Sequence, residues 1–344
     1  MQIPRPLVGL IRNPLSHRNV TALSSEEKAL PNLLVRAPRS HDMLREVLAE
    51  FSTRGVEYLA IEGGDGTMRD VLTCGDDIFG DDWPPFVILP RGKTNALAAD
   101  LGLPKDWCLA RSMEAAAQGR RAARRPLHLE RMRAQGADER GIGSAGIAEN
   151  GYIANYPSGP VRGFFLGAGA FKLGTDSAQS VHRWRMFGGL AVATTVLLSV
   201  LQIIFGRSRN RWRRGTPMAL RLRRPEQAKA ESFPHVKQEG RDRRFMLLAT
   251  TLERFPLNAR PFGYKLHHGL KLGIIDYPYR WLIALLPLML FGLNNPALAR
   301  NGAHRLPIDE AEMDLAESFI MDGETFPPGH YRLREGPVLN FVIP

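Results

Sequence analysis

The chain has 344 residues, 44% of them hydrophobic and 24% charged, which is ordinary for a folded globular protein. Lysine and arginine number 46 against 35 aspartate and glutamate, and the net charge of +11 favours anionic partners such as nucleotide phosphates, nucleic acid or an acidic membrane surface. With only two cysteines, Cys74 and Cys108, a disulfide framework is excluded and a reducing cytoplasm is favoured.

Residues 1–125 show an alternation of strand and helix patterns. A helix is predicted from Ser40, its N-cap, to Gly55, where a glycine stops it. Two further helices are predicted, one starting after Thr67 and one within residues 94–104. Strands are predicted in the apolar segments 6–12, 30–38, 56–64 and 84–92. This alternation predicts a mainly parallel sheet covered by helices.

From residue 126 the pattern changes to strands separated by glycine-rich and charged loops, which is typical of antiparallel β structure. Strands are predicted within residues 125–134, 151–159, 218–224, 243–252 and 270–276. An acidic run at 309–317 is interpreted as a solvated face, with a calcium or magnesium site as the alternative.

Two apolar runs stand out in this second half. Met186–Gly206 carries no charge, is flanked by arginines, and fits a buried helix, a helix lying on a membrane, or a membrane span. Trp281–Leu293 is too short to span a bilayer and contains Pro287. Both runs indicate contact with lipid, as pocket wall or docking face.

The segment AIEGGDGTMRD, residues 60–70, places three glycines around Asp65 directly after a predicted strand. Glycines allow backbone amides to approach a phosphate closely, and a following helix start favours negative charge. A carboxylate at the carboxyl end of a strand lies in the crevice where open α/β sheets bind ligands. Asp65 could therefore accept a proton or act through a metal ion, or the segment could be an ordinary glycine turn.

This segment resembles the GGDGT motif of the lipid kinases typified by diacylglycerol, sphingosine and ceramide kinases. Three further segments resemble motifs of that family in the same order. They are LIRNPLS at 10–16, LPRGKTNALAADLGLP at 89–104, and MDGETF at 321–326 followed by a closing strand. The resemblance spans nearly the whole chain.

The resemblance implies an α/β nucleotide-binding domain, like those of NAD kinase and phosphofructokinase, over residues 1–125. It implies a larger antiparallel β-rich, β-sandwich lipid-binding domain over residues 126–325, with the residues after about 325 returning to the first domain. The implied reaction is transfer of the γ-phosphoryl group of ATP, with Mg²⁺, to a lipid hydroxyl. The enzyme would be cytoplasmic and peripheral on the inner face of an anionic membrane, and nucleic acid is not expected as a partner.

The resemblance also implies site residues. Asp65 is taken as the base, with Asp322 as the rival, and Asp322 and Glu324 as the metal-linked carboxylates. The nucleotide-binding residues implied are Asn13, Ser16, Gly63, Gly64, Gly66, Thr67, Gly92, Lys93, Thr94, Asn95 and Arg185.

Some positions depart from the family pattern. Lys93 stands where a small residue is usual, and could either reach a phosphate or be a solvated surface lysine. The acid that sphingosine kinases carry after a glycine turn is missing at Ala170 and Phe171, which favours a neutral lipid such as diacylglycerol or ceramide. The competing interpretations are a soluble kinase resembling NAD kinase and a lipid-binding pseudokinase.

Overall fold

The computed structural model describes residues 6–14, 32–92, 94–132, 159–172, 215–235, 243–263, 269–277 and 279–344. The apolar run Met186–Gly206 and the arginines that flank it lie outside these residues.

The first half is built on a six-stranded sheet, in the order β2-β1-β3-β4-β19-β5. Its strands are β1 (Val8–Arg12), β2 (Leu33–Arg36), β3 (Tyr58–Gly63), β4 (Phe86–Pro90), β5 (Arg121–Arg124) and β19 (Leu339–Val342). All neighbours are parallel except β5, which pairs antiparallel with β19. Strand β19, near the C-terminal end of the sequence, therefore lies between β4 and β5 in the same sheet as β1.

Helices cover both faces of this sheet, as the strand and helix alternation predicts. They are α1 (His41–Thr53), α2 (Asp65–Cys74), α3 (Asp76–Phe79), α4 (Ala96–Asp100) and α5 (Leu109–Ala117). The Ser40 side chain accepts a hydrogen bond from the Met43 amide at 3.2 Å, so the predicted N-cap is confirmed. Leu48 and Phe51 of α1 are fully buried against one face, while α5 packs on the other.

The second half consists of antiparallel sheets, again as predicted. The strands are β6 (Leu127–Arg131), β7 (Val161–Gly163), β8 (Phe165–Gly169), β9 (Thr216–Arg223), β10 (Glu231–Ser232), β11 (Arg243–Arg244), β12 (Met246–Thr250), β13 (Lys271–Ile275), β14 (Ala303–Pro307), β15 (Glu310–Leu315), β16 (Phe319–Met321), β17 (Glu324–Phe326) and β18 (Gly329–Glu335). One sheet has the order β10-β9-β15-β18-β6-β7, with β11 also on β9, and the other β14-β13-β12-β8-β16-β17. A single hydrophobic cluster takes side chains from both sheets, including Leu220 and Met313 from the first and Leu166 and Phe319 from the second.

Two acids of the run at 309–317 form ion pairs within the first of these sheets. Glu310 and Glu312 lie on β15 between β9 and β18, and their carboxylates lie 3.2–3.9 Å from guanidinium nitrogens of Arg221, Arg223 and Arg332. No group of three or more metal-ligating side chains is found among the described residues, and cross-strand pairing accounts for these two acids.

Polar contacts join the two halves. The buried carboxylate of Asp100, at the end of α4, accepts hydrogen bonds from the amides of Glu253 and Arg254, both at 2.7 Å. Arg162 on β7 forms an ion pair with Asp76 at the start of α3. These contacts fix α3 and α4 against the β-rich half.

Three short helices follow β13: α6 (Arg280–Ala284), α7 (Leu286–Leu290) and α8 (Pro296–Arg300). Leu282, Ile283 and Met289 are buried, while the large apolar side chains of Trp281 and Phe291 are 43% and 59% exposed. No helix within the described residues has the length and hydropathy to cross a bilayer.

Candidate functional site

The three N-terminal motifs converge at the carboxyl ends of β1, β3 and β4. The Asn13 side-chain amide donates to the Thr67 hydroxyl at 2.9 Å, and the Asn13 backbone amide donates to the Glu62 carbonyl at 3.1 Å. These bonds tie the turn after β1 to the glycine loop after β3. The convergence follows from parallel pairing, which brings the carboxyl ends of neighbouring strands to one edge of the sheet.

The two glycine loops touch each other through their backbones. A Cβ on Gly92 would lie 2.6 Å from the Gly64 Cα, and a Cβ on Gly64 would lie 2.9 Å from the Gly92 Cα. A Cβ on Gly63 would lie 2.5 Å from the Thr67 hydroxyl oxygen. These three glycines are therefore required by packing inside the protein, a reason that the motif alone did not reveal.

Helix α2 starts at Asp65, not after Thr67 as the sequence predicted, and Gly64 is its N-cap. Gly64 has extended backbone and leaves the strand directly, so the acid falls in the first turn of the helix. The Asp65 carboxylate accepts hydrogen bonds from the Ala96 amide at 2.9 Å and the Leu97 amide at 3.1 Å. Asp65 thus links the first glycine loop to the start of α4 and occupies its first two amides.

Asn95 shapes the second glycine loop. Its backbone is left-handed, with φ 50° and ψ 50°, a conformation that asparagine tolerates better than most residues. Its side chain accepts from the Gly92 amide and donates to the Gly92 carbonyl, both at 2.9 Å. Its side-chain amide therefore holds the loop closed, while Thr94 in the same loop is exposed.

Asp322 and Gly323 form the two-residue turn between β16 and β17. Both have positive φ, 45° and 83°, which is the requirement of a type I′ hairpin and explains the Asp-Gly pair. The Asp322 carboxylate accepts from the amides of Phe164 and Phe165 at 2.8 and 3.1 Å. The turn is thereby fixed to the start of β8 and lies beside the first loop, where a Cβ on Gly66 would lie 3.5 Å from the Asp322 carbonyl oxygen.

Burial raises the pKa of both aspartates, and the charge of Asp65 acts on Asp322. Burial raises the pKa of Asp65, although the Ala96 and Leu97 amides favour its ionised form. Burial, together with the negative charge of Asp65, raises the pKa of Asp322 to about 8. Buried carboxyl groups with raised pKa values are typical of sites that transfer a proton.

Arg69, which sequence reasoning missed, connects α2 to this hairpin. It lies one helical turn after Asp65, and its buried guanidinium donates to the Met321 carbonyl at 3.2 Å. Its Nη2 also lies 2.7 Å from Asp70 and 3.8 Å from Glu324. An arginine inside the motif's helix was the available signal, because a helical position four residues after Asp65 shares its face.

A second group that sequence reasoning missed lies beneath the loops. The buried Glu62 carboxylate accepts from Arg12 Nε at 2.5 Å and from Arg91 Nε at 3.0 Å. The register of β1 and β3 pairs Arg12 directly with Glu62. The acid in the apolar strand before the glycines was the signal, since a buried carboxylate requires cationic or amide partners.

The remaining predicted residues divide into two groups. Glu324 follows Asp322 and Gly323 on the hairpin, and its side chain is 32% exposed. Ser16, Lys93 and Arg185 lie outside the described residues, so their predicted roles stay predictions.

The described residues fit the cofactors that the motifs imply. A phosphate cradle requires glycine loops at the carboxyl ends of parallel strands, and two such loops are present. Mg²⁺ is usually held by one or two carboxylates together with substrate phosphates, so Asp322 and Glu324 fit this role without a dedicated cluster.

Comparison with known proteins agrees with this geometry. Residues 12–126 match the family model of the diacylglycerol kinase catalytic domain. No curated protein matches the chain. The family match confirms the resemblance that the motifs indicate.

The fold also has solved counterparts. The crystal structure of a diacylglycerol kinase from Bacillus anthracis str. Sterne has a TM-score of 0.58 at 11% identity, covering 100% of this chain and 98% of that one. A second structure from that organism, described only provisionally as a diacylglycerol kinase, has a TM-score of 0.61 at 12% identity with the same coverage. At such identity the likeness establishes the shared fold.

Proposed function

We propose that this chain, which carries the diacylglycerol kinase catalytic domain over residues 12–126, transfers the γ-phosphoryl group of ATP to the primary hydroxyl of a neutral lipid, diacylglycerol or ceramide. The observation that carries the proposal is that the Asp322 turn lies beside the Asp65 loop, where a Cβ on Gly66 would lie 3.5 Å from the Asp322 carbonyl oxygen and the Asp65 charge acts on the Asp322 carboxyl group. Asp65 follows the glycine loop of the parallel sheet, and Asp322 lies on a hairpin of the β-rich half, so the pair joins a nucleotide side to an acceptor side.

The nucleotide side is formed by the loops after β1, β3 and β4. The hydrogen bond between Asn13 and Thr67 and the contact between Gly64 and Gly92 hold these loops in one arrangement before ATP arrives. Arg91 is half-exposed beside them and adds positive charge where phosphates would lie. Preorganisation of this kind supplies most of the catalysis in phosphoryl transfer, which needs little covalent help from the protein.

Asp322 is the better base of the two aspartates. The lipid hydroxyl oxygen attacks the γ-phosphorus, the bond from this phosphorus to the bridging oxygen breaks, and ADP leaves. The hydroxyl proton passes to Asp322, whose raised pKa suits a base near neutral pH, while the Asp65 carboxylate is bound by the amides at the start of α4. This assignment differs from the preference for Asp65 that the sequence suggested.

Mg²⁺, when bound, neutralises developing charge on the transferred phosphoryl group. Glu324 would hold it together with ATP phosphates, since the Asp322 carboxylate is assigned to the hydroxyl proton. Arg69 balances the charge of Glu324 and fixes the hairpin through the Met321 carbonyl.

The β-rich half would provide the lipid side. Its two sheets share one core in the manner of a sandwich, and Phe165 on the second sheet lies outside that core, with the ring of Phe171, which follows β8, 4.9 Å from its own. Asp322 is bound to the amide of Phe165, so an acyl chain lying against these rings would begin next to the base. We place the enzyme in the cytoplasm, at the inner face of an anionic membrane.

The test is transfer of labelled γ-phosphate from ATP to diacylglycerol, monoacylglycerol, ceramide and sphingosine in mixed micelles, with NAD as the soluble acceptor. We expect one labelled neutral lipid, transfer that requires Mg²⁺, and loss of transfer in Asp322→Asn. The exposed pair residue Asp42 provides the control variant Asp42→Asn, which should retain activity.

Two results would overturn the proposal. Labelling of NAD without labelling of lipid would indicate a soluble kinase. ATP binding without transfer to any acceptor, in protein that melts cooperatively, would indicate a lipid-binding protein without kinase activity.

A further inference from the structure

We propose that the apolar surface of α6 and α7, here called the docking face, seats the protein on an anionic bilayer. The docking face comprises the exposed side chains of Trp281, Leu288, Leu290, Phe291 and Leu293, between 38% and 59% exposed. The inference rests on the proposed function, since a kinase for lipids must meet its acceptor at a membrane.

These helices are apolar on both sides. Leu282, Ile283 and Met289 are buried against the end of the second sheet, together with Phe245 and Ile275. The segment from 281 to 293 carries no charged residue on the opposite side either. A helix on the surface of a protein in water usually turns a polar side outward, so an apolar outer side indicates an apolar partner.

Three backbone carbonyls of the docking face already accept hydrogen bonds within the protein. Arg305 donates from Nη2 to the Met289 carbonyl at 2.8 Å and from Nη1 to the Leu293 carbonyl at 2.7 Å. The Arg260 amide donates to the Leu290 carbonyl at 2.7 Å. Carbonyls at a helix end would otherwise need water, so these bonds remove the main cost of placing the segment against lipid.

The charges around the docking face select an anionic surface. Residues 277–308 contain no aspartate or glutamate, and they carry Arg280, Arg300 and Arg305. Arg280 and Arg300 are exposed on either side of the apolar segment. A tryptophan at the edge of an apolar patch with flanking arginines is typical of proteins that lie at the membrane interface.

Strand β8 relates the docking face to the catalytic hairpin. Its first residue, Phe165, binds Asp322 through its amide, while Ala170, directly after its last residue, packs in the cluster beneath α6 and α7. The strand spans about 13 Å from Phe165 to Gly169. A lipid whose acyl chains remain near the docking face could therefore place its hydroxyl at the hairpin.

The test compares binding to vesicles of phosphatidylcholine with and without phosphatidylserine. The variant combines Trp281→Ser, Leu288→Ser and Phe291→Ser. The control combines Met43→Ser with Val338→Ser, two side chains of similar exposure that lie next to elements of the six-stranded sheet. We expect the triple variant to partition into phosphatidylserine vesicles at least about tenfold more weakly, because each buried apolar side chain contributes about that factor. The control should bind like the unmodified protein.

A second variant tests the charges. Arg280→Gln with Arg300→Gln should reduce the preference for phosphatidylserine vesicles and leave binding to neutral vesicles unchanged. Unchanged vesicle binding by the triple variant would overturn the inference, as would a loss of self-association by that variant without any change in vesicle binding.

Transfer to a short-chain, water-soluble diacylglycerol separates this inference from the proposed function. If the docking face and the proposed kinase activity are both correct, the triple variant phosphorylates the soluble diacylglycerol normally and does not phosphorylate diacylglycerol in vesicles. If the protein binds vesicles through the docking face but phosphorylates no acceptor, the proposed function fails and the docking face stands.

Discussion

Each of the two central aspartates binds two backbone amides, and each joins two separate segments. Asp65 connects the glycine loop to α4, and Asp322 connects the hairpin to β8. Their carboxylates retain further lone pairs for a proton or a metal ion. Position in the fold, more than exposure, therefore makes these residues candidates for catalysis.

The raised pKa of Asp322 predicts a specific pH dependence of stability. Since its folded-state pKa is about 8 against an ordinary value of 3.8, the folded protein holds a proton that the unfolded chain releases. The stabilisation from this bound proton is complete at pH values below 3.8, and it is lost as the pH rises through about 8. We expect the free energy of unfolding to fall over that range, and to fall less steeply in Asp322→Asn, measured by urea denaturation at a series of pH values. Parallel curves for the two proteins would contradict the assignment.

Gly92 tests whether the glycine loops require each other. Gly92→Ala places a Cβ 2.6 Å from the Gly64 Cα, which is backbone and cannot turn aside. We expect a loss of about 1–3 kcal/mol in the free energy of unfolding without any nucleotide present, measured by denaturant titration. Gly159→Ala is the control, because a Cβ there meets no atom within 4 Å. If Gly92→Ala kept its free energy of unfolding and lost only its affinity for ATP, the role of this glycine would be phosphate binding alone.

At the scale of the element, local sequence predicted type and order better than boundaries. Ser40 marks the start of α1 because an N-cap acts through its own neighbours. The predicted start of α2 was wrong because the chain leaves the extended conformation directly after Gly64, and not after Thr67. The Asp-Gly pair of the hairpin was recognised only through its resemblance to a family motif, although its turn geometry alone accounts for the pair.

Arg69 predicts a coupling between helix α2 and the hairpin. Arg69→Gln removes the contact with Glu324 and weakens the bond to the Met321 carbonyl, so the hairpin loses its contact with α2. We expect kcat to fall about tenfold or more while the KM for ATP changes little, in steady-state assays with the lipid acceptor. Stability should fall by about 2–3 kcal/mol, as expected for a hydrogen-bonded charge.

Two further variants separate positioning from simple destabilisation. Arg69→Lys keeps the charge and should restore part of kcat, because Nζ can still reach one partner. Arg45→Gln removes an exposed ion pair with Asp42 on α1 and should leave both parameters unchanged. A fall in kcat that matches only the unfolded fraction would assign Arg69 a structural role.

At the scale of the molecule, the features that sequence reasoning missed depend on contacts between distant segments. The pairing of Arg12 with Glu62 and of Arg69 with the 321 carbonyl joins residues 50 and 252 positions apart. Propensity and periodicity report on neighbours along the chain, so they predicted the sheets but not these partners. The proposed boundary near residue 125 stays a prediction.

The position of β19 in the first sheet predicts that the two halves unfold together. Phe341 on this strand is fully buried, with its ring 5.3 Å from that of Phe86 and 6.2 Å from that of Phe164. Phe86 belongs to the parallel sheet and Phe164 precedes β8, so one side chain from the chain's end packs against both halves. Phe341→Ala should therefore cost about 3–5 kcal/mol, since it removes a large core side chain and leaves a cavity.

Hydrogen exchange distinguishes shared from separate unfolding in this variant. If the halves are one cooperative unit, amides of β3 and of β15 lose protection by the same free energy in Phe341→Ala. Val338→Ala, which truncates a side chain that is 44% exposed just before the strand, should leave protection in both sheets unchanged. Loss of protection in β3 alone would mean that the β-rich half is stable by itself, and that the bonds of Asp100 and Arg162 orient the halves without making them fold as one.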